Sequence, residues 1–383
     1  MIENAARITK QAKAFYCLEC GKCTANCPVS RFNHDYSPRM MLSRLLTGEM
    51  DELVADEKLY TCLACGMCRV RCPSDVRYGE LMLLTRIEAH RLGHEPNLSH
   101  GGILQEIMRI HAADKLHQDR GDWLGGDVQT AAEGELLYFG GCLPYFDAVF
   151  EDIGVEAGRI GRSAVRLLNA VGITPAVLPN ERCCGHDLLW AGDHKNFIEL
   201  MNHNIEAITA AGAKRVVTSC AECYRTLALD YPRFGGKIGF EVLHISQLLG
   251  ERLADLEGQL GAAGGKVTFQ DPCRLGRHMG VYEPPRQLLG AIPGLEVLEM
   301  RHNRQASICC GTSAWINCDM YSKQIQIGRL REAEQAGAGT VVTACPKCYI
   351  HFTCATSEKR GEPQVDVKIQ DLCVLLAESL GAK

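Results

Sequence analysis

Residues 17–28, CLECGKCTANCP, and residues 62–73, CLACGMCRVRCP, are two copies of one motif, Cys-x2-Cys-x2-Cys-x3-Cys-Pro. This is the ligand spacing of a cubane [4Fe-4S] cluster, in which three cysteines wrap one face of the cluster and the fourth, before proline, leaves the loop. In proteins with two such clusters the fourth cysteine serves the neighbouring one. That rule groups Cys17, Cys20, Cys23 and Cys72 on one cubane and Cys62, Cys65, Cys68 and Cys27 on the other. Zinc knuckles are the competing reading of C-x2-C pairs, but structural zinc has no use for eight cysteines ending twice in Cys-Pro.

Outward from this array, residues 37–50, SPRMMLSRLLTGEM, carry Met40, Met41, Leu45, Leu46 and Met50 at helical intervals, and residues 81–93, LMLLTRIEAHRLG, repeat the period. A helical insert between the motifs predicts an all-helical ferredoxin domain over residues 1–100. Polar, Gly- and Asp-rich residues 117–134 predict a linker or exposed loop, taken as 101–134. Beyond it the pattern changes. Strand-like runs at 135–141, 173–179, 214–219 and 240–246 alternate with helical stretches at 159–172 and 196–212. The pattern recurs with runs at 266–272, 295–300, 340–344 and 365–371 and helices at 285–294 and 323–337, so an internal duplication of parallel α/β modules is expected at 135–260 and 261–383.

The cysteines repeat with the strands. Cys142, Cys183-Cys184-Gly185 and Cys220-x2-Cys223 form one set; Cys273, Cys309-Cys310-Gly311 and Cys345-x2-Cys348 form the other. In both, the single cysteine and the C-x2-C follow strand-like runs, which places them at the carboxyl ends of parallel strands, where open α/β sheets bind ligands. Adjacent cysteines diverge too much to share one cubane, but they can straddle a wider cluster.

On these residues the two CCG modules resemble the catalytic B-type subunits of heterodisulfide reductases, and the N-terminal domain resembles the C-type subunits of the same enzymes. The fusion resembles their D-type subunits over essentially the whole chain. The resemblance implies an α+β multidomain protein: the all-helical two-[4Fe-4S] domain followed by two duplicated α/β, Rossmann-like CCG modules. It also implies two noncubane [4Fe-4S] clusters beside the two cubanes. One would be held by Cys142, Cys183, Cys184, Cys220 and Cys223, the other by Cys273, Cys309, Cys310, Cys345 and Cys348. Cys183, Cys184, Cys309 and Cys310 would act in catalysis as cluster ligands. The second module is also similar to iron-sulfur subunits of glycerol-3-phosphate dehydrogenase and of glycolate and lactate oxidation systems, which often lack some of these cysteines. Thr312-Ser313-Ala314-Trp315 departs from the glycine-rich stretch that often follows the motif.

The implied activity is reduction of a disulfide, or a similar two-electron acceptor, by an iron-sulfur subunit of an anaerobic redox complex. The alternatives are an electron-transfer subunit of a bifurcating or acyl-CoA reductase complex, or a quinone-linked subunit of a hydroxyacid or glycerol-phosphate dehydrogenase. Expected partners are a flavoprotein like the A-type subunits of these reductases or other redox subunits, and a membrane cytochrome. No G-x-G-x-x-G follows a strand and no P-loop or H-E-x-x-H occurs, so no flavin or nicotinamide is expected in this chain.

Composition agrees. Twenty-one cysteines, an odd number in 383 residues, suit metal in a reducing cytosol better than disulfides. No apolar run reaches the about 18 residues of a membrane span, so a cytoplasmic location is expected, peripheral to the inner face of a membrane at most. A formal net charge of -5 gives no footprint for nucleic acid. Cys318, Cys354 and Cys373 remain after the motifs are filled and read as buried thiols. His186 reads as a structural histidine, Trp315 as packing, and the arginines at 69, 71, 77, 159, 162 and 166 as solvated surface.

Overall fold

The computed structural model describes residues 2–235, 238–316, 318–357 and 365–381. It divides into two compact units. The first comprises Met1–Ile110 with Gly185–Phe197 and Ile308–Gln326; the second comprises His111–Cys184, Ile198–Ser307 and Ile327–Lys383.

Among the described residues no strand precedes Leu136, so the N-terminal region is helical. Helix Pro38–Leu46 starts where expected: Ser37 caps it by accepting from the Met40 amide, and Pro38 occupies the first turn, where a missing N–H costs nothing. Met41, Leu42 and Leu45 face inward while Met40 is 50% exposed, so the apolar stripe is narrower than its periodicity predicts. Helix Tyr78–Arg91 buries Leu81, Leu83, Leu84 and Ala89 on several sides and forms the centre of the unit. Helix His186–Ala191 packs on it within the same unit. There Gly192, at φ 103°, is required because a Cβ would collide with the Arg86 carbonyl.

The two cysteine loops are one conformation built twice. Gly21 and Gly66 hold φ 74° and 78°, Glu19 and Ala64 hold φ 49° and 48°, and Cys17 and Cys62 share φ −65°. Each glycine starts a short helix, Lys22–Ala25 or Met67–Val70, that carries the third cysteine.

The second unit holds two all-parallel sheets. In the first, β1 (Leu136–Tyr138), β2 (Arg215–Thr218) and β3 (Glu241–His244) lie in that order. In the second, β4 (Gly265–Gln270), β5 (Leu295–Leu298), β6 (Thr340–Thr343) and β7 (Lys368–Asp371) take the order β5-β4-β6-β7. The expected strand over 173–179 is reduced to a bridge from Ala176 to Leu137. Pro175 and Pro179 bracket it and cannot donate to a ladder. Counting that bridge, both sheets have the order 2-1-3-4, and the duplication is structural as well as sequential.

The modules pack reciprocally. Helix Ala157–Ala170, after β1, lies on helix Leu372–Ser379, after β7; helix Ile245–Glu251, after β3, lies on helix Glu283–Gly290, after β4. Swapped pairs of equivalent helices are the signature of a two-fold interface. The segment expected as a linker carries helix Ile103–His111, and its remainder, through Arg120 and Gln118, holds residues of the first module.

Candidate metal centres

Eight cysteines of the first unit line two neighbouring cavities. One is lined by Cys27, Cys62, Cys65 and Cys68; the other by Cys17, Cys20, Cys23 and Cys72, with Cys68 on the shared wall. The fourth cysteine of each motif thus lies with the first three of the other. Backbone amides point at sulfur: Glu19 N–H to Cys17 at 3.4 Å, Ala64 N–H to Cys62 at 3.3 Å and Val76 N–H to Cys72 at 3.4 Å. Such donors favour thiolates.

The two cavities differ in their surroundings. Cys62 and Cys65 are buried, whereas Cys20 is exposed beside Leu18 at 68% exposure. Burial pushes the Cys27 thiol up to about 12 and Cys68 well above its ordinary value. Thiols packed this closely need a bound cation to become thiolates together. Tyr36 lines the first cavity with Cys62, and its hydroxyl lies 2.9 Å from the Tyr78 hydroxyl. Arg86, fully buried, donates to the carbonyls of Leu59 at 3.1 Å, Cys62 at 2.7 Å and Trp190 at 3.0 Å.

In the first module five thiols form a connected group. Cys142 follows β1, and Cys220 caps the helix after β2 by accepting from Cys223 N–H at 3.4 Å. Cys223 Sγ lies 3.4 Å from Cys184 Sγ, and the Cys184, Cys183 and Cys142 thiols perturb one another in turn. Hydrogen bonds from Cys223 and Cys345 hold Cys220 down at about 5; the bond to Cys183 and burial push Cys142 well up. Gly141, at φ 64°, admits the Cys223 sulfur to 3.0 Å of where its Cβ would stand.

The Cys183-Cys184 dipeptide is pinned by residues the motif does not reveal. Cys183 N–H donates to His111 Nδ1 at 3.0 Å, and Asn204 Nδ2 donates to Cys183 O at 2.9 Å. The Tyr231 hydroxyl donates to Cys184 O at 3.1 Å. Burial lowers His111 to about 4, so its Nδ1 is free to accept. Glu181 accepts from Gly140 N–H at 3.2 Å and Gly141 N–H at 2.6 Å, ahead of Cys142. Burial raises its carboxyl to about 7 although Arg120 stands 3.7 Å away.

In the second module Cys273 follows β4, and Cys345 and Cys348 follow β6, both buried and hydrogen-bonded to one another. Cys309 and Cys310 are buried in Ile308–Gln326 of the first unit, where Gly311 at φ 92° passes a point at which a Cβ would lie 2.7 Å from Ser322 O. The departing residues after this motif are packing: Trp315 is 1% exposed and its carbonyl accepts from Ser99 N–H at 2.8 Å, and Ala314 O accepts from Gln105 at 2.7 Å. His186 lies 2.8 Å from Asp187, both buried. Against the expectation of buried thiols, Cys318 is exposed and Cys354 only half-buried; Cys373 is buried, its N–H donating to Asp371.

These cysteine sets coincide with known sequence families. Residues 10–77 match the 4Fe-4S dicluster domain, and residues 136–228 and 267–353 match the CCG cysteine-rich domain. The D-type subunit of the dihydromethanophenazine:CoB–CoM heterodisulfide reductase of Methanosarcina barkeri is 33% identical over 275 residues, 70% of this chain and 64% of that one. The Methanosarcina acetivorans protein of the same name is 32% identical over 317 residues, 80% and 74% respectively. The B-type subunit of the fumarate reductase (CoM/CoB) of Methanothermobacter marburgensis is 30% identical over 373 residues, 94% and 71%. The chain therefore spans about two thirds of the length of these relatives. A hypothetical protein of Helicobacter pylori shares the fold, with TM-score 0.55 at 11% identity over 92% of this chain and 69% of that one. No helix among the described residues is long and apolar enough to cross a membrane.

Proposed function

The chain belongs to the family of D-type heterodisulfide reductase subunits, and from that premise we propose that it is the iron-sulfur subunit of an anaerobic oxidoreductase that reduces a disulfide. The observation that carries this reading is the complete five-thiol group of the first module, connected from Cys142 to Cys220 at the carboxyl ends of β1 and β2. In the 2-1-3-4 order these strands flank the point where chain direction across the sheet reverses, the usual ligand crevice of such sheets.

The residues fit the groups the family implies. Cys62, Cys65, Cys68 and Cys27 would hold one cubane and Cys17, Cys20, Cys23 and Cys72 the other. The domains run over 1–100, 135–260 and 261–383. The first noncubane cluster falls to Cys142, Cys183, Cys184, Cys220 and Cys223, and the second to Cys273, Cys309, Cys310, Cys345 and Cys348. Bound clusters supply single-electron relay and, in the CCG modules, two electrons that with two protons convert one disulfide to two thiols. The protein's own groups set the conditions: His111, Asn204 and Tyr231 fix the adjacent ligands, and amide donors offset the negative charge of the thiolates. Electrons enter at the exposed Cys20 side from a separate redox partner, either a flavoprotein or a membrane cytochrome.

The test is anaerobic reconstitution followed by turnover with reduced methyl viologen. Roughly 16 iron per chain and two viologens oxidised per disulfide are expected. Full iron without turnover on any of a panel of disulfides would leave an electron-transfer role only. Iron that saturates near eight, with the CCG cysteines freely alkylated, would remove the reading altogether.

A further inference from the structure

The two C-x2-C loops, Cys220-Ala221-Glu222-Cys223 and Cys345-Pro346-Lys347-Cys348, occupy equivalent places in the duplication but carry opposite charges at the equivalent third position. Both charged side chains are buried, Glu222 at 9% exposure and Lys347 at 3%. They meet each other across the module interface, Lys347 Nζ donating to Glu222 Oε2 at 2.7 Å. Beside them the first cysteines of the loops, Cys220 and Cys345, both free thiols, shift one another's ionisation. A third contact closes the group, His244 Nε2 lying 3.2 Å from Ala344 O. The carboxyl ends of β2 and β6 therefore face each other, and one buried pair of opposite charges lies between ligands of the two CCG sites.

Packing alone does not account for it. Taking two charges out of water costs several kcal/mol per ion, and apolar residues of similar volume usually serve an interface as well or better. Each charge is flanked by two candidate ligands of its own module, in a setting where burial keeps salt from screening it. A fixed cation favours the more negative, reduced state of a nearby redox centre, and a fixed carboxylate opposes it.

We propose that the Glu222–Lys347 pair makes the two otherwise equivalent CCG sites electrostatically unequal, so that the Lys347 side is reduced first and the Glu222 side last. This rests on the function proposed above. It gives a fixed order to the two electrons a disulfide requires.

The test is a redox titration of the anaerobic holoprotein, followed by the paramagnetic signals of the CCG clusters, in wild type, Glu222→Gln, Lys347→Gln and the charge swap Glu222→Lys/Lys347→Glu. The glutamate variant should raise a midpoint and the lysine variant should lower one. Each should change the oxidised-to-reduced ratio at fixed potential about tenfold, which is about 59 mV for one electron. The swap keeps the ion pair, and should keep the iron content while narrowing or reversing the separation of the two midpoints. Single variants that shift in the same direction, or a swap that titrates like wild type with iron intact, would overturn the proposal. If the single variants lose iron, the swap alone decides. A wild type lacking CCG clusters would instead sink the proposed function and this inference with it.

Discussion

Arg86 donates to the Cys62 carbonyl at 2.7 Å from a position with no exposed surface, and the same guanidinium holds the carbonyls of Leu59 and Trp190. One side chain thus ties the second cysteine loop to the segment that follows the first CCG motif, both within the first unit. Replacing it with methionine keeps the volume but leaves three buried carbonyls without this donor. At about 1–3 kcal/mol for each buried acceptor left unsatisfied, Arg86→Met should cost about 3 kcal/mol or more. Anaerobic urea unfolding of the holoprotein measures this; a loss below about 0.5 kcal/mol would mean that water replaces the guanidinium.

The cavity that gathers Cys17, Cys20, Cys23 and Cys72 predicts the phenotype of Cys72→Ser. The variant should alter the spectrum of the cubane held by the first motif's leading cysteines and spare the one held by Cys62, Cys65 and Cys68. Loss of the second motif's cubane instead would overturn the crossed arrangement.

Tyr36 lines the cavity of Cys27, Cys62, Cys65 and Cys68 with its hydroxyl acting on the Cys62 thiol, and polar donors around ligand sulfurs raise a cluster's potential. Tyr36→Phe should therefore lower the midpoint of the buried cubane and leave that of the exposed one in place. Equal movement of both midpoints in an electrochemical titration would point to general loosening of the domain.

The cysteine spacings make the metal sites legible because ligand geometry is written into local sequence. Gly21 and Gly66, or Gly185 and Gly311, mark the loops for the same reason: all four hold positive φ. What the spacings do not carry is the support. His111, Asn204 and Tyr231 pin one Cys-Cys dipeptide from three separate segments, and nothing local to them marks that role. Two of the differences are legible in hindsight. Pro175 and Pro179 argue against a full strand between them, and Leu104 and Met108 give residues 103–111, taken as linker, a buried apolar pair at helical spacing. The Glu222–Lys347 contrast is visible in the sequence too, but its meaning depends on an interface that only the folded second unit brings together.

Asp371 predicts a pH dependence of stability. Its Oδ1 accepts from Cys373 N–H at 2.8 Å and caps helix Leu372–Ser379, while burial at 2% exposure pushes the carboxyl up to about 7. In the unfolded chain the same group titrates near 3.9. Between those values the folded protein keeps a proton that the unfolded chain has lost, so this group's contribution to stability falls as pH rises from about 4 to about 7 and is level above that. At about 1.36 kcal/mol per pH unit the whole effect is about 4 kcal/mol as an upper bound. Asp371→Asn keeps an acceptor for the Cys373 amide and cannot ionise. The difference in unfolding free energy between variant and wild type should therefore be smallest at pH 5 and grow in the variant's favour through pH 6 and 7, reaching about 1–4 kcal/mol at pH 8. Because all other groups are common to both proteins, their titrations cancel in that difference. A variant less stable than wild type at pH 8 would show that the folded protein already carries this carboxylate ionised, and that the helix cap draws on its charge.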